Sequence, residues 1–117
     1  MRSLEGIEIA RRAIEIASAK QASNIVLLDV RDICTFSDFF VICSGDNERQ
    51  IRTIYEDIEQ SLKKESEITH HNEGTIDSGW LLLDYGDVIV HIFSEEEREY
   101  YKLDELWQDA RPVIKIQ

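Results

Sequence analysis

The chain has 117 residues, of which 43% are hydrophobic and 32% charged, so it can bury the core of one domain and is not of the disordered class. Its 24 acidic residues outnumber its 13 basic ones, and the formal net charge of -11 disfavours binding to nucleic-acid backbones and to anionic membranes. No apolar run approaches the roughly 20 residues of a membrane-spanning helix, and the N-terminus lacks a signal pattern. We therefore expect a single cytoplasmic domain over residues 1–117.

The chain starts with an amphipathic helix followed by a strand. From Leu4 to Lys20, apolar residues recur at three- and four-residue steps with charged residues between them, which predicts a helix over residues 3–21. Residues 25–28 form a short aliphatic and β-branched run that is too apolar for a strand with one face in water. We expect this run to be a central strand of a sheet.

A second strand and a second helix follow a polar connection at residues 29–37. Residues 39–43 are aromatic and β-branched and stop at a Ser-Gly pair, which predicts another buried strand. Either Asp46 or Asn47 can cap the helix that follows, and one apolar stripe of that helix should lie on the sheet.

The second half of the chain predicts a loop, a hairpin and a helix. Residues 70–79 are polar and contain two glycines, so we expect an irregular loop there. Residues 80–85 and 88–93 are strand-like and are joined through Tyr-Gly-Asp, which favours a tight β-hairpin. Ser94 followed three residues later by Glu97 is a capping-box pattern and predicts the start of a helix.

The order of these elements indicates the fold class. Pro112 ends the last helical region and leaves a short apolar tail at residues 113–116, which can either add an edge strand or fray. Helices and strands in this order, without repeats or linkers, predict an α/β fold with a single mixed β-sheet flanked by helices. The strand order cannot be derived from spacing.

The titratable residues show no catalytic or metal-binding pattern. The adjacent His70 and His71 seldom chelate one ion, and His91 in an apolar strand is typical of a packed, hydrogen-bonded side chain. Cys34 and Cys43 lack the two-residue spacing of zinc and redox motifs, so we expect buried free thiols in a reducing compartment. We predict no catalytic residue, no metal site and no cofactor.

The turn at residues 44–47 is a weak candidate for anion binding. It lies between a strand and a helix, where backbone N–H groups can face an anion. It lacks the lysine and the several glycines of a phosphate loop, and Asp46 and Glu48 place negative charge where a phosphate would lie. A capped strand-to-helix turn is the favoured interpretation.

The Trp-Leu-Leu-Leu-Asp-Tyr run at residues 80–85 is unusual because a strand of this sequence is large or apolar on both faces. One face can pack on helices, and the other must meet a further helix of the chain or an external partner. Trp and Tyr are enriched at binding hot spots. Patterning alone leaves open a doubly covered sheet and an exposed docking patch.

Several segments between residues 24 and 110 share a family pattern. They are Ser37 to Gly45 with Arg49-Gln50, Glu73-Gly74, Gly79 through Phe93, and then Arg98, Tyr101, Leu103, Leu106-Trp107 and Asp109-Ala110. Through these segments the chain closely resembles the Iojap-like ribosomal silencing factors. The family core then spans about residues 24–110, and residues 111–117 form a short tail.

The resemblance implies a nucleotidyltransferase-like α/β fold that has lost catalysis. It implies binding to the large ribosomal subunit through its ribosomal protein number fourteen, which blocks joining of the small subunit and represses translation when nutrients are short. Some members of the family self-associate as dimers. The acidic charge of the chain independently suits a basic ribosomal protein. The carboxylate pair with which nucleotidyltransferases hold metal ions is missing from the sequence.

The resemblance also implies which residues bind the partner. The docking surface is expected to centre on Trp80, Leu82, Asp84 and Tyr85, with Asp38, Phe40 and Arg98 as neighbours. Trp80 and Tyr85 would be apolar anchors, and Asp84 could pair with a lysine or arginine of the partner.

Two other functions stay open at this point. The first is a homodimeric assembly module whose Trp80 face binds a second copy of the chain. The second is a residual nucleotide-binding enzyme that uses Ser44, Asp46 and Asp84.

Overall fold

The computed structural model describes residues 6–66, 71–75, 78–101 and 111–116. The elements in these ranges are α1 (Gly6–Ala19), β1 (Ser23–Asp29), β2 (Phe39–Gly45), α2 (Glu48–Ser66), β3 (His71–Thr75), β4 (Trp80–Asp84), β5 (Val88–Ser94), α3 (Glu95–Tyr101) and β6 (Arg111–Ile116). No helix among the described residues is both long enough and apolar enough to cross a bilayer.

Each helix begins or ends where local chemistry satisfies its free backbone groups. The side-chain oxygen of Asn47 accepts a hydrogen bond from the Gln50 N–H at 2.8 Å, so Asn47 is the cap of α2. The Ser94 hydroxyl accepts one from the Glu97 N–H at 3.1 Å, which confirms the predicted start of α3. At the end of α1, Gln21 has a φ of 63° and reverses the chain into β1.

The strands form one six-stranded sheet in the order β3-β4-β5-β2-β1-β6. The strands β2 and β5 run parallel, and the other four pairs are antiparallel. The predicted single mixed sheet flanked by helices is therefore confirmed. The predicted hairpin is confirmed as well, since β4 pairs with β5 and the Tyr85 N–H donates to the Val88 carbonyl oxygen at 2.8 Å.

The two faces of the sheet carry separate apolar clusters. One face, called the helix face, is covered by α1 and α2. Its cluster contains alternate residues of the central strands and the buried stripes of both helices. The members of the cluster on the second face are Val26, Leu28, Val30, Phe40, Ile42, Ile89 and Phe93, with Cys34, Trp80 and Leu82 packed against them. Apolar residues on both faces of β1 and β2 confirm that these strands are central.

Two segments differ from, or go beyond, what the sequence predicted. The irregular loop expected at residues 70–79 is wrong for residues 71–75, which form β3 and pair with β4. The polar composition concealed this strand because its pairing uses backbone groups rather than an apolar face. The tail forms β6, which pairs with β1, so the edge-strand alternative holds. The predicted helical stretch at residues 102–110 and His70 lie outside the described residues.

Candidate partner-binding surface

The strand β4 divides its side chains between the two faces of the sheet. Leu81 and Leu83 are buried in the cluster that packs on α1 and α2. Trp80 and Leu82 alternate with them, are half-buried, and pack on the second face. The run that was apolar on both faces thus has one face in the helix-covered core and one that still reaches solvent.

An aromatic row crosses the second face from the β1–β2 connection to β4. The ring centroids of Phe36 and Phe40 are 6.4 Å apart, and those of Phe40 and His91 are 4.9 Å apart in an edge-on arrangement. Trp80 then stacks on His91 at 6.1 Å and on Phe93 at 5.2 Å. Because Trp80 packs on the rings of His91 and Phe93, the indole has little freedom to turn when a partner approaches.

The orientation of Trp80 is also fixed by a hydrogen bond. Its indole nitrogen Nε1 donates to Nδ1 of His91 at 3.3 Å. Since an indole N–H can only donate, Nδ1 must be the unprotonated ring nitrogen. Burial lowers the pKa of His91 to about 4, so the ring is neutral near pH 7 and keeps this lone pair.

A small cavity of about 200 Å³ opens beside Trp80 and is lined by Gly74, Ser78, Trp80 and Leu82. Gly74 has a φ of 86°, and a Cβ at this position would collide with the Trp80 carbonyl oxygen. Glycine is therefore the residue that this wall of the cavity requires, because its positive φ and its close approach to the β4 backbone exclude a Cβ. The apolar walls of the cavity suit an aliphatic side chain of a partner.

Asp84 lies on the same face of β4 as Trp80 and is half-buried. One carboxylate oxygen accepts a hydrogen bond from the Gly86 N–H at 2.8 Å, which closes the hairpin turn. Asp38 is exposed, and its N–H donates to the Asp87 carbonyl oxygen at 2.9 Å. Both acids are thus accessible and held on an ordered backbone.

The structure does not bring Tyr85, Phe40 and Arg98 to the exposed part of this face. Tyr85 packs against the cluster on the helix face, where burial, with Glu59 and Tyr55 nearby, raises the pKa of its hydroxyl. Phe40 is only 2% exposed and lies within the aromatic row.

Arg98 is 7% exposed and is bound at the end of the sheet. Its Nη1 donates to the Asn24 carbonyl oxygen at 2.6 Å and to the Ser44 hydroxyl oxygen at 3.0 Å. The guanidinium therefore fastens α3 to β1 and β2, and it contributes no exposed charge to the second face.

The structure separates the residues of the nucleotide-binding alternative. Ser44 is fully buried. It pairs with Phe93 on β5, and Phe93 pairs in turn with Trp80, so Ser44 is level with the first residue of β4. Asp84 is at the other end of β4, about 13 Å away along a strand of this length. Asp46 lines a cavity of about 300 Å³ between the starts of α2 and α3, together with Glu48, Glu95, Glu96 and Glu97. These carboxylates repel a phosphate. Within the described ranges, no group of His, Cys, Asp or Glu could hold a metal ion.

The sequence pattern missed Ile33 and Phe36, which lie in the connection predicted to be polar. They are 42% and 68% exposed. The signal was present as two large apolar residues among polar ones, but spacing could not show that both face the solvent and that Phe36 lies beside Phe40.

Comparisons with known proteins give a consistent result. The family model described as "Ribosomal silencing factor during starvation" matches residues 3–117. A protein named ribosomal silencing factor RsfS from Halalkalibacterium halodurans is 34% identical over 110 residues, covering 94% of this chain and 93% of its own. The protein of that name from Bacillus subtilis is 37% identical over 101 residues, covering 83% and 86%.

Solved structures agree with the sequence matches. A crystal structure of a Chromobacterium violaceum protein superposes with a TM-score of 0.81 at 30% identity, covering 89% of this chain and 87% of that one. A crystal structure from Bacillus halodurans gives a TM-score of 0.79 at 34% identity, covering 92% and 98%.

Proposed function

Because the chain belongs to the ribosomal silencing factor family, we propose that it represses translation by binding the large ribosomal subunit and sterically blocking the joining of the small subunit. The contact is with ribosomal protein number fourteen, in the cytoplasm, when nutrients are short. These details come from the family resemblance of the sequence.

One observation carries the proposal: Trp80 is half-buried on an apolar sheet face and is held in place by its bond to His91. A large, oriented aromatic side chain that keeps part of its surface in solvent is typical of a binding hot spot. Leu82 and the adjacent cavity extend the apolar contact, and Asp84 and Asp38 place carboxylates where they can meet basic residues.

The proposed mechanism needs no chemical step. The Ser44 hydroxyl is not placed to act as a nucleophile, because it is fully buried and its oxygen accepts a hydrogen bond from Arg98. Occupancy of the subunit surface is sufficient to prevent joining. A thermal melt with nucleotide and magnesium should therefore show no stabilisation, whereas a ligand at 100 times its Kd would add about 2.7 kcal/mol.

The direct test is co-sedimentation of the purified protein with isolated large ribosomal subunits. Trp80→Ala should weaken binding by about 2 kcal/mol or more, roughly thirtyfold in Kd. Ile116→Ala is a matched control, because Ile116 is an exposed apolar residue on β6, remote from β4 in the sheet. Raised salt should slow association of an acidic protein with a basic partner.

Unchanged binding of a folded Trp80→Ala variant would remove β4 from the proposed contact. Where binding is lost, a subunit-joining assay should show that the wild-type protein, and not the variant, keeps the two subunits apart. A pull-down with purified ribosomal protein number fourteen then identifies the partner.

A further inference from the structure

The connection between β1 and β2 exposes two large apolar side chains. Phe36 is 68% exposed and Ile33 is 42% exposed. The backbone around them is well bonded: the N–H groups of Ile33 and Cys34 donate to the Val30 carbonyl oxygen at 3.1 and 2.8 Å. Two large apolar side chains exposed on an ordered turn are typical of a binding surface, because a partner that covers them removes apolar area from water.

The turn is tied to the rest of the second face. The Val30 N–H donates to the Asp38 carbonyl oxygen at 2.9 Å, and the Ser37 hydroxyl donates to the Asp87 carbonyl oxygen at 3.0 Å. Cys34 packs against the apolar cluster of that face. The position of Phe36 relative to the sheet is therefore fixed by bonds to the strand pair and to the β4–β5 hairpin.

Phe36 and Trp80 are the two ends of one aromatic row. The row runs from Phe36 through Phe40 and His91 to Trp80, with successive ring centroids 6.4, 4.9 and 6.1 Å apart. The middle rings are buried, and the two end residues reach solvent. One partner lying across the second face can thus contact both ends.

The charge around the turn indicates the chemistry of that partner. Asp32, Asp38 and Asp87 are exposed beside the apolar pair. The guanidinium of Arg31 is bound by both oxygens of Asp29, at 3.0 and 2.7 Å, so its positive charge is compensated within the turn. The resulting rim is negative and suits a basic protein surface that offers an apolar side chain.

We propose that Ile33 and Phe36 form a second contact point for the same basic ribosomal protein that Trp80 contacts. The inference rests on the proposed function and adds a site to it. An apolar side chain of the partner packs on Phe36, and flanking lysine or arginine residues pair with Asp32 and Asp38.

The test measures binding to isolated large subunits for wild-type protein and for the variants Phe36→Ala, Ile33→Ala, Trp80→Ala and Ile116→Ala. Phe36→Ala should raise the Kd at least about tenfold, because truncation of an aromatic side chain that anchors a contact has this order of effect. Its melting temperature should match that of the wild type, since the side chain is mostly exposed. Ile116→Ala should bind as the wild type does.

The outcomes separate this inference from the proposed function. Loss of binding in Trp80→Ala with unchanged binding in Phe36→Ala and Ile33→Ala overturns the second contact and leaves the function standing. Absence of binding by the wild-type protein overturns both. If light scattering shows a dimer that Phe36→Ala dissociates while subunit binding is unchanged, the turn contacts a second copy of the chain and the inference is wrong.

Discussion

The indole N–H of Trp80 points at Nδ1 of His91, 3.3 Å away, and the two rings stack with centroids 6.1 Å apart and planes 27° apart. A half-buried residue on β4 is thereby oriented by a buried residue on β5. The bond requires a neutral imidazole with its lone pair on Nδ1. The proposed anchor of the docking surface therefore depends on the protonation state of a side chain within the sheet.

Substitution of His91 should change the orientation of Trp80 without removing the indole. His91→Leu leaves no acceptor for the indole N–H, whereas His91→Asn can place its amide oxygen near the position of Nδ1. We expect His91→Leu to bind large subunits several-fold more weakly, because the indole loses the bond that holds it in place. His91→Asn should recover most of the affinity.

Tryptophan fluorescence reports the same change independently of binding. In a background with Trp107→Phe, the emission of Trp80 should shift in His91→Leu and lie close to that of the unsubstituted protein in His91→Asn. Equal emission and equal affinity in both variants would show that His91 only fills space.

The stability of the fold should fall with acidity because of His91. Burial lowers its folded-state pKa to about 4, below the ordinary value of 6.5. Between these values the unfolded chain binds a proton that the folded chain does not, so falling pH favours unfolding. As far as His91 is concerned, the free energy of unfolding keeps its full value above pH 6.5, and about 3 kcal/mol of it is lost by pH 4.

Urea unfolding at pH 7 and pH 4 measures this loss. The wild type and His91→Asn differ only at residue 91, so the difference between their losses of stability isolates the imidazole. A variant that loses as much stability on acidification as the wild type would contradict the assignment.

Much of the fold could be predicted from residue patterns, and the exceptions have physical causes. The cap at Ser94 and the β4–β5 hairpin depend on short-range chemistry, so the sequence indicates them directly, and it narrows the cap of α2 to Asp46 or Asn47. The strand β3 was missed because its pairing partner, not its own composition, makes it a strand. The strand order is likewise set by contacts between distant segments.

The candidate site was predictable in part for a similar reason. Trp80 and Leu82 were implied by the family resemblance, and the structure places them together on one face. Tyr85, directly after β4, packs against the helix-face cluster, which its sequence position alone does not show. Arg98 matches the family pattern but is buried against Ser44 and Asn24. In a single sequence, a residue that holds the fold together cannot be told from one that contacts a partner when both match the family pattern.

Arg98 should therefore act on stability and not on docking. Arg98→Met removes the buried guanidinium and leaves the Asn24 carbonyl and the Ser44 hydroxyl without its hydrogen bonds. The free energy of unfolding should fall by about 2–3 kcal/mol. At a temperature where the variant is folded, its affinity for the large subunit should equal that of the wild type. A folded variant with lost affinity would return Arg98 to the docking surface. Denaturant unfolding followed by co-sedimentation decides between the two roles.

Two glycines with the same φ provide a matched test of the surface around Trp80. Gly74 and Gly86 both have a φ of 86°, so alanine at either position carries the backbone strain of a positive φ, about 1 kcal/mol or more. At Gly86 a Cβ meets no atom within 4 Å, whereas at Gly74 it collides with the Trp80 carbonyl oxygen. Gly74→Ala should thus be the more destabilising by about 1–3 kcal/mol, as for an overpacked site.

The same pair of variants also separates stability from binding. Gly74→Ala must push β3 away from Trp80 and distort the cavity between Trp80 and Leu82, so it should weaken binding to the large subunit even when folded. Gly86→Ala changes the hairpin turn at the far end of β4 and should leave that cavity unaltered. Equal loss of affinity in the two variants, measured at equal folded fraction, would show that the cavity beside Trp80 takes no part in the contact.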